Sequence, residues 1–222
     1  MTDESHARAE EYVRAQGLSP AAAEAYFDQQ AQEILETVNL YLGTIADVVK
    51  QSEGTLDKYI GDCVMAFWGA PTPQRNHAVN CVRAAIEAQR AIQVFNSQRG
   101  ETNRQLEIEN VARLSAGLPA KPLLPTLSLG TGINTGIVTV GLMGSNDHIL
   151  NYTVFGREVN LASRLEGVSG HGRIVIGEGT YNALQREDTA LAQTCVELEP
   201  TKPKGFQKPV RNFEVPWQTP GQ

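Results

Sequence analysis

Apolar residues recur every three or four positions along two stretches of the chain, which predicts two amphipathic helices. The apolar face of the first stretch consists of Ile34, Val38, Leu42, Ile45 and Val49. That helix is predicted to end near Gly54. The second helix is predicted to begin near Asn76, and its apolar face consists of Ala78, Val82, Ala85, Ile86 and Ile92.

Shorter apolar stretches between turn residues predict strands. Residues 55–71, TLDKYIGDCVMAFWGAP, predict a β-hairpin that turns at Gly61 and Asp62. Residues 127–145, LSLGTGINTGIVTVGLMGS, predict a second hairpin that turns around Asn134, Thr135 and Gly136. The last strand pair is predicted in CVELEPTKPKGFQKPVRNFEV, around a turn rich in Lys, Pro and Gly.

The remaining segments complete an α+β pattern. FGREVNLASRLEGVSG predicts a helix, and RIVIGEGTYNAL predicts a strand followed by a helix. Residues 97–125 are polar and interrupted by Gly and Pro, which predicts a surface excursion. In residues 1–30, Ser19 is a candidate N-cap with Pro20 at the first helical position. The order of elements favours an antiparallel sheet flanked by helices.

Composition mainly excludes some classes of protein and partner. The chain has 222 residues, of which 41% are hydrophobic and 20% charged, as expected for one globular domain with an extension. A net charge of −6 disfavours a broad cationic surface for nucleic acid or anionic lipid. No apolar run is long enough to cross a bilayer, but the sequence does not exclude a longer parent protein that carries a membrane anchor. Three distant cysteines fit a reducing cytoplasm.

Asp62 and the pair Asn160 and Arg164 are the candidate chemical residues. A carboxylate at a hairpin tip can bind a divalent cation, but an aspartate there can equally serve the turn itself. Asn160 and Arg164 are four positions apart and share one face of the predicted helix, where Arg164 can give two donors to a phosphate. The alternative is that this pair belongs to an ordinary solvent-exposed face of the helix and has no chemical role.

Three stretches together, KYIGDCVMAFWGAP, GINTGIVTVGLMGS and NYTVFGREVNLASRLE, resemble the core motifs of the class III nucleotidyl cyclase catalytic domain. The resemblance extends over about Ile34 to Val215 and is strongest to bacterial adenylate cyclases. It implies a ferredoxin-like antiparallel sheet flanked by helices, in a homodimer with active sites at the subunit interface. It also implies two Mg²⁺ or Mn²⁺ ions, with Asp62 as the second of two metal aspartates.

The resemblance assigns further roles to residues in these motifs. Asn160 would orient the ribose, and Arg164 would stabilise the α-phosphate in the transition state. Lys58 and Thr153 match the purine-reading positions, where a lysine donating to adenine N1 and a hydroxyl accepting from the exocyclic amine favour ATP over GTP. Lys204 resembles a late lysine near the triphosphate, although Lys-Gly turns are common.

The family's first strand, with its metal aspartate, is not visible in this sequence. Its place is at about residues 12–23, YVRAQGLSPAAA, which neither alternate nor contain a carboxylate. Asp28 lies too close to the following helix to be assigned to metal. We therefore expect a missing or remodelled first strand, with an N-terminal extension at 1–33, a catalytic domain at 34–216 and a tail at 217–222.

The sequence thus supports two main hypotheses. The first is a cytoplasmic, homodimeric adenylate cyclase that converts ATP to 3′,5′-cyclic AMP and pyrophosphate, with no nucleic-acid partner and no membrane segment in this chain. The second is a catalytically silent cyclase-homology module that binds nucleotide or a partner cyclase and regulates it. A third possibility, a dimerisation domain, predicts no nucleotide binding, and the retained motif residues disfavour it.

Overall fold

The computed structural model describes residues 3–118, 120–144, 150–202 and 204–218. Two compact units divide the chain: one combines Met1–Gly43 with Ser97–Pro125, and the other combines Thr44–Asn96 with Thr126–Gln222. Most of the predicted tail at 217–222 lies outside the described residues, and the predicted domain limits stay a prediction.

Helices make up the first unit. These are α1 (Asp3–Ala15), most of α2 (Pro20–Gln51) and the second half of α3 (His77–Ser115). Helix α2 begins as predicted, since Pro20 is its first residue and the backbone amide of Ala22 donates to Ser19 Oγ at 3.4 Å. Residues 12–23, where the family's first strand would lie, instead include the end of α1 and the start of α2. The alanines that follow Pro20 favour a helix. Among the described residues, no strand precedes residue 55.

Residues 97–115, part of the stretch expected to form a surface excursion, belong to helix α3, and most of them are exposed. The non-helical residues that follow are held along α3 by three asparagines seven positions apart. Each asparagine side chain both donates to a backbone carbonyl and accepts from the backbone amide of the same residue: Asn96 with Leu127, Asn103 with Leu124, and Asn110 with Lys121. These paired bonds satisfy backbone groups of a segment that has no strand or helix of its own.

The described residues of the second unit form three small sheets. The first is the hairpin of β1 (Thr55–Ile60) and β2 (Cys63–Phe67). Another is the antiparallel pair β4 (Thr139–Gly144) and β5 (Leu150–Phe155). The four-stranded sheet has the order β3-β6-β8-β7, formed by Thr131–Ile133, Ile174–Gly177, Asn212–Val215 and Val196–Glu197 respectively.

Strand pairing confirms the first and last predicted hairpins but not the second. Strand β3 does not pair with β4; it pairs in parallel with β6, and β4 pairs with β5 instead. The prediction failed because Asn134, Thr135 and Gly136 are typical turn residues, whereas the parallel partner of β3 lies some 40 positions further along the chain. The architecture is nevertheless α+β, as predicted, with antiparallel pairing in every described strand pair except β3 with β6.

The core lies on both faces of β6, all of whose residues are buried. Ile174 and Ile176 belong to a cluster with Val79 and Val82 of α3. Val175, on the opposite face, packs in a second cluster with residues of helix α4 (Arg157–Ser169). Helices α5 (Glu178–Glu187) and α6 (Thr189–Thr194) complete the unit. The sheet therefore holds α4 rigidly, and α4 carries Asn160 and Arg164.

Candidate functional site

Lys58 on β1 and Thr153 on β5 are in direct contact. The Lys58 ammonium Nζ donates to Thr153 Oγ1 at 3.0 Å. Thr153 lies opposite Gly141 in the β4–β5 register and is buried, whereas the Lys58 side chain is 44% exposed. The two residues predicted to read a purine are therefore adjacent, and Lys58 keeps a face toward solvent.

Asp57 joins this pair and was missed by sequence reasoning. Its side chain is fully buried, its Oδ2 accepts a hydrogen bond from Thr153 Oγ1 at 2.7 Å, and its Oδ1 lies 3.4 Å from Lys58 Nζ. Oδ1 is close enough for an ion pair but receives no hydrogen bond. An aspartate directly before a lysine normally suggests two solvated neighbours on opposite faces of a strand. The irregularity of β1 between Leu56 and Lys58 disturbs that alternation.

Asp62 occupies the tip of the β1–β2 hairpin. Ile60 pairs with Cys63, so the loop consists of Gly61 and Asp62 alone. Gly61 has a φ of 62° and takes the first loop position, the residue order of a type II′ turn. Asp62 is exposed, so this turn presents its carboxylate to solvent.

The Glu166 and Asp62 carboxylates both act on the Cys63 thiol at the hairpin tip. The pKa of the Cys63 thiol is raised, first by partial burial and then by the charges of Glu166 and Asp62. Even so, the part of the chain that the structure describes contains no group of three or more His, Cys, Asp or Glu side chains able to hold a metal ion. Asp62 thus fits as one cation ligand, but a two-cation site is not complete within these residues. Asp28, which lies within α2, does not change this.

Asn160 and Arg164 lie on the exposed side of α4, one helical turn apart. Each directly precedes a leucine, Leu161 or Leu165, that is buried in the cluster with Val175. Packing of the leucines fixes the rotation of the helix about its axis, and this fixes the side on which the two polar residues stand. The prediction that they share one face agrees with this geometry.

Gly132 explains how α4 can lie so close to β3. A β-carbon at Gly132 would overlap the backbone of α4 at Ala162 and Glu166. Only glycine permits this approach. This close passage of two backbones lies between β3 and α4. A β-carbon at Gly136 would likewise crowd the side chain of Glu158, at 2.7 Å from its Cγ.

Lys204 lies in an exposed turn between strands β7 and β8. Gly205 follows it with a φ of 91°, and an isolated bridge between Thr201 and Val210 closes the base of the loop. Phe206 of the same loop packs on the cluster beneath α4, and the Arg157 guanidinium lies 5.1 Å from its ring centroid. The loop is thus attached to α4, and Lys204 itself is exposed.

The fold and these motifs have a counterpart among known proteins. Residues 21–211 match the family described as the adenylate and guanylate cyclase catalytic domain, and the chain belongs to that family of class III nucleotidyl cyclases. It is 29% identical over 178 residues to adenylate cyclase 1 of Rhizobium meliloti, a match that includes 80% of this chain and 22% of the relative. The chain therefore spans about a fifth of that protein.

Two solved structures share the fold. The adenylyl cyclase CyaB of P. aeruginosa is 33% identical, with a TM-score of 0.64 over 83% of this chain and 82% of the other. The guanylyl cyclase Cya2 is 30% identical, with a TM-score of 0.62 over 90% of this chain and 83% of the other. Overall likeness thus includes a cyclase of each purine, so the choice of base has to be argued from the site. No helix in the described part of the chain is long and apolar enough to cross a membrane.

Proposed function

We propose that this domain is an adenylate cyclase that converts ATP to 3′,5′-cyclic AMP and pyrophosphate. The observation that carries the proposal is the 3.0 Å contact between Lys58 Nζ and Thr153 Oγ1. An ammonium group can only donate, as adenine N1 requires, and a hydroxyl oxygen can accept from the adenine amino group. Guanine presents N1–H and O6 at these positions, so the same pair would oppose it.

The reaction needs an attack of the ribose 3′-oxygen on the α-phosphorus. The new bond is 3′-O–P. Two bonds break: the 3′-O–H bond, whose proton passes to water or to a phosphate oxygen of the nucleotide, and the bond from the α-phosphorus to the bridging oxygen, whose electron pair leaves with pyrophosphate. We assign Asn160 to orienting the ribose and Arg164 to the charge that develops on the α-phosphate oxygens. Exposure of both residues on a rigidly packed helix supports these roles, because nucleotide and partner can reach them. Lys204 would add positive charge near the triphosphate.

A divalent cation, Mg²⁺ or Mn²⁺, would reduce the charge on the triphosphate, and Asp62 would be one of its ligands. Since the described residues provide no complete cation site, the remaining ligands would come from the nucleotide, water or chain outside them.

A homodimer is the proposed working state. The β4–β5 pair exposes several large apolar side chains, with Leu142 69% exposed; the others are Met143, Leu150 and Tyr152. Such a patch next to Thr153 is typical of a surface covered by another subunit. Three free cysteines among the described residues fit a cytoplasmic location.

The alternative is a silent cyclase-homology module, and the incomplete cation site favours it specifically. Purified chain should be incubated with ATP or GTP, each with Mn²⁺ or Mg²⁺, while cyclic nucleotide and pyrophosphate are measured. Cyclic AMP formation that depends on Arg164 supports the cyclase. Saturable ATP binding without product would support the silent module, and no binding of either nucleotide would exclude the cyclase and leave only a module that binds a partner cyclase.

A further inference from the structure

Asp57 is a fully buried carboxylate that the proposed chemistry does not use. It contacts the same two residues that would read the base: Oδ2 accepts from Thr153, and Oδ1 lies 3.4 Å from Lys58 Nζ. Burial of a carboxylate is costly unless it is paired and hydrogen-bonded. Its place between two specificity residues therefore calls for an explanation beyond strand packing.

The hydrogen-bonding capacity of the Thr153 hydroxyl can be counted. A hydroxyl has one proton to donate and two lone pairs to accept with. Because a carboxylate only accepts, the proton goes to Asp57 at 2.7 Å; because an ammonium only donates, one lone pair goes to Lys58 at 3.0 Å. What remains at Thr153 is a single acceptor position.

We infer that Asp57 is a positioning residue for base selection, which turns the Thr153 hydroxyl into an obligate acceptor. The inference rests on the proposed function, in which Thr153 faces the purine. An acceptor at this point matches the exocyclic amine of adenine and opposes O6 of guanine, which is itself an acceptor. Without Asp57, threonine could present either its proton or its lone pair. With Asp57, only the adenine-compatible arrangement is available.

Asp57→Asn tests this with little change of shape. The ammonium of Lys58 favours the amide oxygen on its own side, so the amide NH₂ would face Thr153. Thr153 would then accept from both neighbours and turn its proton toward the base. We expect the ratio of kcat/KM for ATP to that for GTP to fall about tenfold, the scale of one hydrogen bond. Glu101→Gln removes an exposed carboxylate that pairs with Arg104 in the other unit of the chain, and it should leave the ratio unchanged.

A second background separates a positioning role from a purely structural one. Thr153→Val removes the hydroxyl through which Asp57 is inferred to act. In that background, Asp57→Asn should not change the ATP to GTP ratio further. An equal fall in both backgrounds would overturn the inference, as would an unchanged ratio in the single variant of an active enzyme.

A readout without nucleotide keeps this inference distinct from the proposed function. If the Thr153–Asp57 hydrogen bond forms, Asp57→Ala, which removes the carboxylate altogether, and Thr153→Val should be strongly non-additive in urea unfolding, and additivity would overturn the inference whatever the catalytic result. If the wild type makes no cyclic AMP, displacement of a bound fluorescent purine nucleotide by ATP and by GTP gives the ratio of their binding affinities instead. In that case the cyclase proposal fails, while a shifted binding ratio still supports the role of Asp57. Absence of any nucleotide binding would overturn both.

Discussion

Lys58 and Thr153 are 95 positions apart in the sequence, yet the side chain of one donates to the other at 3.0 Å. The contact joins β1 to β5, which are not hydrogen-bonded to each other as strands in the described sheets. Two separate hairpins thus bring their side chains to one point. A site assembled this way depends on both side chains, and each can be changed without interrupting a β ladder.

Exchange of these two residues should change the choice of purine. In the double variant Lys58→Glu with Thr153→Cys, we expect ATP turnover to fall at least tenfold and the relative use of GTP to rise. The new carboxylate can accept from guanine N1–H and its amino group. It would also lie beside the Asp57 carboxylate, so loss of ATP use should exceed gain of GTP use. Initial rates with each nucleotide would check this, and an unchanged ATP to GTP preference would contradict the adenine-reading assignment.

Asp62→Asn should remove metal-dependent turnover while leaving the fold intact. The carboxylate is exposed at a two-residue turn, so its loss should cost stability less than about 0.5 kcal/mol. Cyclic AMP production should fall by at least two orders of magnitude with either Mn²⁺ or Mg²⁺. Urea unfolding and Mn²⁺ titration of activity would report the two effects separately. Full activity in this variant would remove Asp62 from the metal assignment.

The three thiols should differ in reactivity. Burial raises the pKa of Cys81 to about 12 and that of Cys195 to about 11, whereas the Cys63 thiol, whose pKa is also raised, is exposed. Since the thiolate is the nucleophile, iodoacetamide at pH 8 should modify Cys63 first and more rapidly as the pH rises. Cys81 should react only on unfolding. Mass spectrometry of timed samples measures this, and Cys63→Ser should abolish the fast phase.

The sequence predicted the local positions of the candidate residues better than it predicted the strands and side chains around them. Asp62, Asn160 and Arg164 lie where the hairpin and helix patterns placed them, because a two-residue turn and a helical repeat are local features. Asp57 was missed because its hydrogen-bond partner, Thr153 on β5, is 96 positions away in the sequence. A contact with a strand that is distant in the sequence cannot be recognised from the residues next to it in the chain.

The same distinction explains the errors in the fold. Strand β3 was assigned to a hairpin because a turn signal follows it, while its parallel pairing with β6 is set by the core around Ile174 and Ile176. The second half of α3 was missed because it is polar, and polar helices lack the apolar period that identifies a helix.

The paired hydrogen bonds between Asn103 on α3 and Leu124 can be tested directly. Asn103→Ala removes both hydrogen bonds to Leu124, and we expect a loss of about 1–2 kcal/mol in the unfolding of this region. Asn103→Asp can still accept from the Leu124 amide but cannot donate to its carbonyl, so its effect should be smaller. Hydrogen exchange at the Leu124 amide measures the difference. Unchanged protection in the alanine variant would contradict the described pairing.

Gly132→Ala should disturb the helix that carries Asn160 and Arg164. The new methyl group would overlap the backbone of Ala162 and Glu166, and neither backbone can move without shifting α4 against the core. We expect a destabilisation of about 1–3 kcal/mol or more, as is typical of overpacking.

Gly167→Ala is the matched control on α4 itself, because a β-carbon there meets nothing within 4 Å. Alanine is the better helix former, so this variant should be neutral or gain up to about 1 kcal/mol. The kcat should fall for Gly132→Ala, because even a small displacement of Arg164 weakens its contact with the transition state. It should not change for Gly167→Ala. Urea unfolding and cyclase assays of both variants decide the point, and equal behaviour of the two would show that close β3–α4 packing does not position the site.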